Sequence, residues 1–284
     1  MTFIAWMLVA VCGLALGQPG SASAQPLTRY VKYEAGGQIA WGVLDGDTIR
    51  ELRGNVFDDA KPSGRTVRLS DVTLLPPAEA TKVIAAGLNY GSHIGERPAA
   101  KHVGLFAKLP TSLVGHGADI VYPADATNVH YEAEVCVVMG RKAKNITEAQ
   151  VKDHVFGVTP CNDVSERDWQ KADLQWLRAK GADTFGPIGP ALVRGANYNT
   201  LKLIGRHNGK VVQETTTDLL IFSIDDVVSY ISRYVTLEPG DVIFTGTPGK
   251  THAMRPGDTF EVEIEGIGTL RNKVVAEQRP PGSQ

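Results

Sequence analysis

His130-Tyr131-Glu132-Ala133-Glu134-Val135-Cys136-Val137-Val138-Met139-Gly140 is the stretch on which the reading of this chain turns. After its second glutamate the residues are almost wholly apolar and rich in β-branched side chains, the composition of a buried strand. Alternate side chains on a strand share a face, so Glu132 and Glu134 project together, beside Cys136 and Val138. Two carboxylates side by side in apolar surroundings repel each other and lose hydration. A divalent cation is the simplest way to offset that cost.

Similar segments flank it. Val83 to Leu88, Val155 to Val158 and Asp241 to Thr245 read as short buried strands. Phe260-Glu261-Val262-Glu263-Ile264-Glu265 alternates strictly and predicts a half-exposed strand with a solvated acidic face. Helices are few. Ser165-Glu166-Arg167-Asp168 resembles a capping box and predicts a helix to about Arg178; a second helix follows Ser223. From Thr28 to Leu75, alternating runs separated by Gly36-Gly37 and Asp45-Gly46-Asp47 read as hairpins, and Pro76-Pro77 closes that block. The expectation is a β-rich α+β chain with a small N-terminal β domain over 25–77 and a larger domain over 78–280.

The 284 residues are 43% hydrophobic and 21% charged, enough for a sizeable core, and 30 glycines with 16 prolines suit many turns. A net charge of -2 gives no electrostatic footprint for nucleic acid. Phe3 to Leu16 is nearly continuous apolar sequence, too short for a comfortable membrane span, and Ala22-Ser23-Ala24 is a small-residue cleavage pattern. Residues 1–24 therefore read as a secretory signal peptide, which makes the mature chain periplasmic. A mis-assigned start, which would leave it cytoplasmic, and a retained anchor are the alternatives. Cys136 and Cys161 remain after cleavage. They could pair in an oxidising compartment, but two separate buried thiols is the preferred expectation.

A third acid, Asp163, ends a predicted strand just before the first helix. Three carboxylates without a matching His or Cys cluster form an oxygen-only ligand set, suited to Mg²⁺, Mn²⁺ or Ca²⁺ rather than zinc. Acidic pairs are also common on ordinary surfaces, and the spacing alone leaves that reading open.

The chain resembles the fumarylacetoacetate hydrolase family. The segments that carry the resemblance are Gly87 to Glu96, Phe106 to Pro110, Tyr131 to Glu134, Asn162 to Asp168, Lys180 with Asp183 to Pro190, Asn208-Gly209-Lys210, and Leu237 to Pro248, in the family's order. The resemblance implies a mixed β-sandwich roll, usually in a homodimer, with Mg²⁺ or Mn²⁺ on Glu132, Glu134 and Asp163. It also implies a small-molecule 2-oxo or 1,3-diketo acid as substrate.

His93 and Glu96 form His-x-x-Glu, which a helical turn would bring onto one face. An exposed ion pair is the plain reading. The resemblance makes it a catalytic dyad on a mobile lid, with Glu96 orienting His93 as the base. Lys180 is the expected electrostatic catalyst, or else a charge at a helix C-terminus. On the resemblance, Arg167 and Gln170 are candidates for substrate contact or for support of the metal ligands, or else sit on a helix surface. Lys108 is a candidate for contact with the substrate's distal end or the lid, and Thr247 for the substrate carboxylate, or else for a tight turn. His130 stands where many relatives carry Asp, and would tune the metal environment or cap the strand. The loop after Gly246-Thr247-Pro248 is short for the family. The leading expectation is metal-dependent hydrolysis of a C–C bond in an acylpyruvate or fumarylacetoacetate-like acid. The alternative is isomerisation, hydration or decarboxylation of a related acid through the same enolate chemistry.

Overall fold

The computed structural model describes residues 26–278. The expected signal peptide at 1–24, with Cys12, lies outside them. The strand reading holds: Ala133–Met139 is a strand buried at every position. Its alternation separates two apolar layers. Val135, Val137 and Met139 pack into one core cluster, and Cys136 and Val138 into another. The strand is covered on both faces, which is why its sequence is a continuous apolar run.

The fold is α+β and β-rich. One sheet has 11 strands. Its order is Lys61–Arg68, Thr48–Arg53, Gln38–Asp45, Thr28–Ala35, Leu192–Arg194, Val155–Asn162, Ala133–Met139, Val242–Phe244, Val83–Gly87 and Gly104–Lys108, with Thr73–Leu75 paired to Thr28–Ala35. The N-terminal hairpins thus extend the same sheet, through the pairing of Tyr30 with Leu192. A 5-stranded sheet runs Lys210–Thr216, Lys202–His207, Thr259–Ile264, Gly268–Ala276 and Asp119–Tyr122. It covers the Val135 face of the central strand. The two sheets meet closely at Gly205, where a Cβ would stand 3.0 Å from the Ala133 Cβ.

The Ser223 reading also holds. Ser223 caps the helix Ile224–Tyr234, and Asp226 closes a capping box. The helix expected from Ser165 to Arg178 is instead two, Arg167–Ala172 and Leu177–Gly181. Its cap is Glu166, not Ser165, and Asp173 turns extended at its end. Arg178 fixes that break by gripping the Asp173 carboxylate through Nε at 2.8 Å and Nη2 at 2.7 Å.

Cys136 and Cys161 form a disulfide, with Cα atoms 5.8 Å apart. This corrects the preference for separate thiols. Cys161 stands opposite Glu134, so it is diagonal to Cys136 on the same face of the antiparallel pair. Sequence spacing carries no information about that register.

Candidate active site

The three acids meet. Glu132 and Glu134 leave the start of the central strand, and Asp163 follows the end of its neighbour Val155–Asn162. The antiparallel register pairs Ala133 with Asn162, which sets the strand ends side by side. Asn162 Oδ1 also accepts the Glu132 N–H at 2.9 Å. One oxygen from each carboxylate lies within 4.8 Å of the others, and all three residues are buried. A buried, oxygen-only, convergent set fits a hard divalent cation.

Cations press on two of these acids. Lys180 Nζ lies 2.7 Å from both Glu132 Oε2 and Asp163 Oδ2. Lys108 Nζ lies 2.7 Å from Asp163 Oδ1 and also bonds the Lys180 carbonyl. Arg167 Nη2 donates to Glu132 Oε1, while its Nη1 donates to Gln170 Oε1 at 2.8 Å. Glu134 is held by a backbone donor, the Gly246 N–H, 2.7 Å from Oε2.

The electrostatics follow. Burial alone would raise the Glu132 carboxyl, but Lys180 and Arg167 outweigh it and hold it well below the usual carboxylate range. Burial, joined by repulsion from Asp163 and Glu132, pushes Glu134 well above its ordinary value. Burial pulls Lys180 down, yet Asp163 and Glu132 leave it raised overall. For Lys108, burial prevails over Asp163 and lowers it. Burial and the neighbouring Arg167 push His130 down to about 4, so its imidazole is neutral at pH 7.

His93 approaches from the other side. It sits in the short helix Gly91–Ile94, reached through Leu88, whose φ of 57° turns the chain out of the strand Val83–Gly87. Asn89 anchors this turn through Nδ2 bonds to the Thr245 carbonyl at 2.8 Å and the Phe222 carbonyl at 2.9 Å. The His93 Nδ1 is 2.6 Å from the Gly249 carbonyl. A carbonyl only accepts, so Nδ1 carries the hydrogen and the neutral ring's lone pair is on Nε2. That Nε2 faces Glu132 Oε1 at 3.9 Å.

Glu96 is not brought to His93. The helix ends at Gly95, in a left-handed conformation with φ 61°, and Glu96 beyond it is exposed. The i, i+3 geometry expected of a helical turn is therefore absent. Lys108 also differs from expectation: it is buried beneath the acids rather than placed toward a distal end. The Thr247 hydroxyl donates to the Ala133 carbonyl at 2.9 Å and accepts from Gln213 Nε2 at 2.9 Å, which ties the Gly-Thr-Pro turn to the central strand. His93, Glu132, Glu134, Asp163, Arg167, Gln170, Lys180 and Thr247 line one cavity with the apolar wall Ala86, Leu88, Phe106 and Trp176. A wider groove near Phe57, Phe156 and Arg194 lies elsewhere and contains none of these residues.

Several contributors escaped the sequence reading. Gly249 acts through its backbone and has no sequence signature. Gln213 is the one fully buried residue of Lys210–Thr216, whose others are exposed or half-buried; it also accepts the Ala133 N–H at 2.9 Å. Its lone polar burial has no sequence mark either, since Thr, Glu and Val surround it equally.

Known proteins align with these features. The family model described as fumarylacetoacetate (FAA) hydrolase C-terminal matches residues 82–275. The model described as Rv2993c-like, N-terminal, matches residues 28–77. Protein Rv2993c of Mycobacterium tuberculosis is 42% identical over 255 residues, 85% of this chain and 96% of that protein. Oxaloacetate tautomerase FAHD2A, mitochondrial, of Homo sapiens is 40% identical over 221 residues, 72% of this chain and 70% of that protein. The crystal structure of 2-hydroxyhepta-2,4-diene-1,7-dioate isomerase from Mycobacterium marinum superposes with a TM-score of 0.83 at 39% identity, covering 89% of this chain and 100% of that one.

Proposed function

We propose that this chain, which belongs to the fumarylacetoacetate hydrolase family, binds a divalent cation on Glu132, Glu134 and Asp163 and interconverts keto and enol forms of a 2-oxo acid. The observation that carries the reading is the pairing of a buried three-carboxylate set with a single imidazole whose free Nε2 faces it. When bound, Mg²⁺ or Mn²⁺ supplies Lewis acidity toward ligand oxygens.

The protein's own groups complete the chemistry. His93 Nε2 takes the proton from the carbon beside the keto group, and that C–H electron pair becomes a C=C bond as the carbonyl π pair moves to oxygen. The same imidazolium returns the proton, to oxygen for a tautomerase or to a remote carbon of a conjugated acid for an isomerase. The fixed Lys180 ammonium balances negative charge that develops beside it. Phe106 and Trp176 shield one wall of the cavity from water.

Two similar proteins are named for reactions of this kind, a tautomerase and an isomerase. Hydrolysis of a C–C bond needs the same enolate and, in addition, an activated water. The names of both relatives, for proton transfer rather than C–C cleavage, favour the proton-transfer reading. We also propose a homodimer, on the family resemblance; sedimentation equilibrium returning the mass of one chain rejects it.

The test is keto–enol exchange of oxaloacetate and related 2-oxo acids, followed by enol absorbance with Mg²⁺, with Mn²⁺ and with chelator. Acceleration should require the cation and fall by roughly 10²–10⁴-fold in His93→Ala. Exchange no faster than in buffer, with either cation, rejects the reading.

A further inference from the structure

We infer that Thr251 and His130 are positioning residues that hold Arg167 against Glu132 through a chain of hydrogen bonds. The Asp168 carboxylate only accepts, and Asn128 Nδ2 lies 3.3 Å from its Oδ1. Asn128 Oδ1 therefore points the other way and accepts from His130 Nε2 at 2.8 Å. His130 Nδ1 in turn lies 2.9 Å from Thr251 Oγ1. The guanidinium only donates, so the Thr251 hydroxyl accepts from Arg167 Nη2 at 2.9 Å. The second Nη2 hydrogen goes to Glu132 Oε1.

The polarity is fixed at both ends of the chain, since the guanidinium only donates and the Asp168 carboxylate only accepts. Bonds in such a series polarise one another. The guanidinium is planar, so bonds to Thr251, Glu132 and Gln170 together leave it one orientation. Neither Thr251 nor His130 lines the cavity. They act through Arg167. Thr251 also lies two residues beyond Gly249, whose carbonyl fixes His93. One short loop therefore aligns both the base and the cation on Glu132.

The relay stands on geometry; its effect on ligand affinity rests on the proposed 2-oxo acid site. Two readouts keep these apart. Side-chain ¹⁵N spectra of Arg167, assigned by their loss in Arg167→Lys, should show restricted, separate Nη signals in the parent chain and in Thr251→Ser. Thr251→Val should average them. Oxalate affinity in the presence of Mg²⁺ should weaken roughly 10-fold in Thr251→Val, the worth of one bond to a charged group. It should stay within about 2-fold in Thr251→Ser and fall no further when Thr251→Val is added to Arg167→Lys. A merely structural role would lower thermal stability and add its effect to that of Arg167→Lys. Should Thr251→Val not fold, His130→Phe makes the same comparison. Unchanged Arg167 signals, or fully additive losses, overturn the relay. Absence of oxalate binding in the parent chain rejects the 2-oxo acid site, while the Arg167 spectrum still decides the relay.

Discussion

The Lys180 ammonium lies 2.7 Å from Glu132 Oε2, and both side chains are buried. The same ammonium reaches Asp163, so one cation balances two acids in a region poorly screened by water. Removing it leaves Glu132 to Arg167 and Asp163 to Lys108, each acid with one cation fewer. Lys180→Met in metal-free protein should lose roughly 1.5–3 kcal/mol of unfolding free energy, the scale of a lost bond to a charged group. Saturating Mg²⁺ should recover part of it, because the cation restores positive charge to the same acids. Urea unfolding with and without Mg²⁺ measures both; equal losses in the two conditions count against a metal on these ligands.

Glu134 imposes a pH dependence. Its folded pKa is raised above the unfolded value of about 4.3, so the folded chain holds a proton that the unfolded chain releases. The stability this contributes is complete below the unfolded pKa and is lost as pH rises through the folded pKa. A cation on the triad must displace the same proton. Over that window, metal-free stability should fall with pH while Mg²⁺ affinity rises. Titration calorimetry in buffers of different ionisation enthalpy should detect proton release. Affinity independent of pH, with no proton released, contradicts this account.

Gly246→Ala should damage the site through the backbone. Gly246 has φ 117°, and a Cβ there would stand 2.7 Å from the Asn89 Cβ. Its N–H is the donor that holds Glu134. A non-glycine residue in this conformation costs on the order of 1–3 kcal/mol, before any clash. We expect a lower thermal midpoint together with weaker Mg²⁺ binding. A variant with both properties unchanged would show that the turn tolerates a side chain.

The Cys136–Cys161 disulfide closes a loop with a sequence separation of 25 between the two strands that carry the acids. Loops of this size stabilise by roughly 3 kcal/mol through the unfolded state. Cys136→Ala with Cys161→Ala, or the parent chain with the bond reduced, should unfold at correspondingly lower denaturant. Thiol labelling under denaturing conditions gives an independent check: free thiols at both Cys136 and Cys161 in protein purified without reductant would mean that the bond does not form.

The central strand was legible because its alternation is local: residues two apart share a face, whatever else the fold does. The meeting of Asp163 with the glutamates was a matter of pairing, and the family's ordered motifs supplied what spacing could not. Non-local register explains the misses. The disulfide depends on Cys161 standing opposite Glu134. Lys108 depends on its pairing with Val83 at the sheet edge, which turns it under the acids. The helix break depends on Arg178 reaching back to Asp173. A helical turn would have set His93 and Glu96 on one face, and Gly95, with φ 61°, ends that turn; the dyad itself was what the family resemblance implied.

The bond from His93 to Gly249 uses a main-chain carbonyl. A side chain at 249 neither supplies nor removes that acceptor. The tautomer of the base therefore depends on backbone conformation, unlike that of a carboxylate-oriented histidine, where loss of one side chain abolishes the orientation. Gly249 holds φ 62°, so a substitution there acts by straining the main chain that presents the carbonyl. Insertions and deletions between Pro248 and Ala253 act on the same carbonyl by moving it.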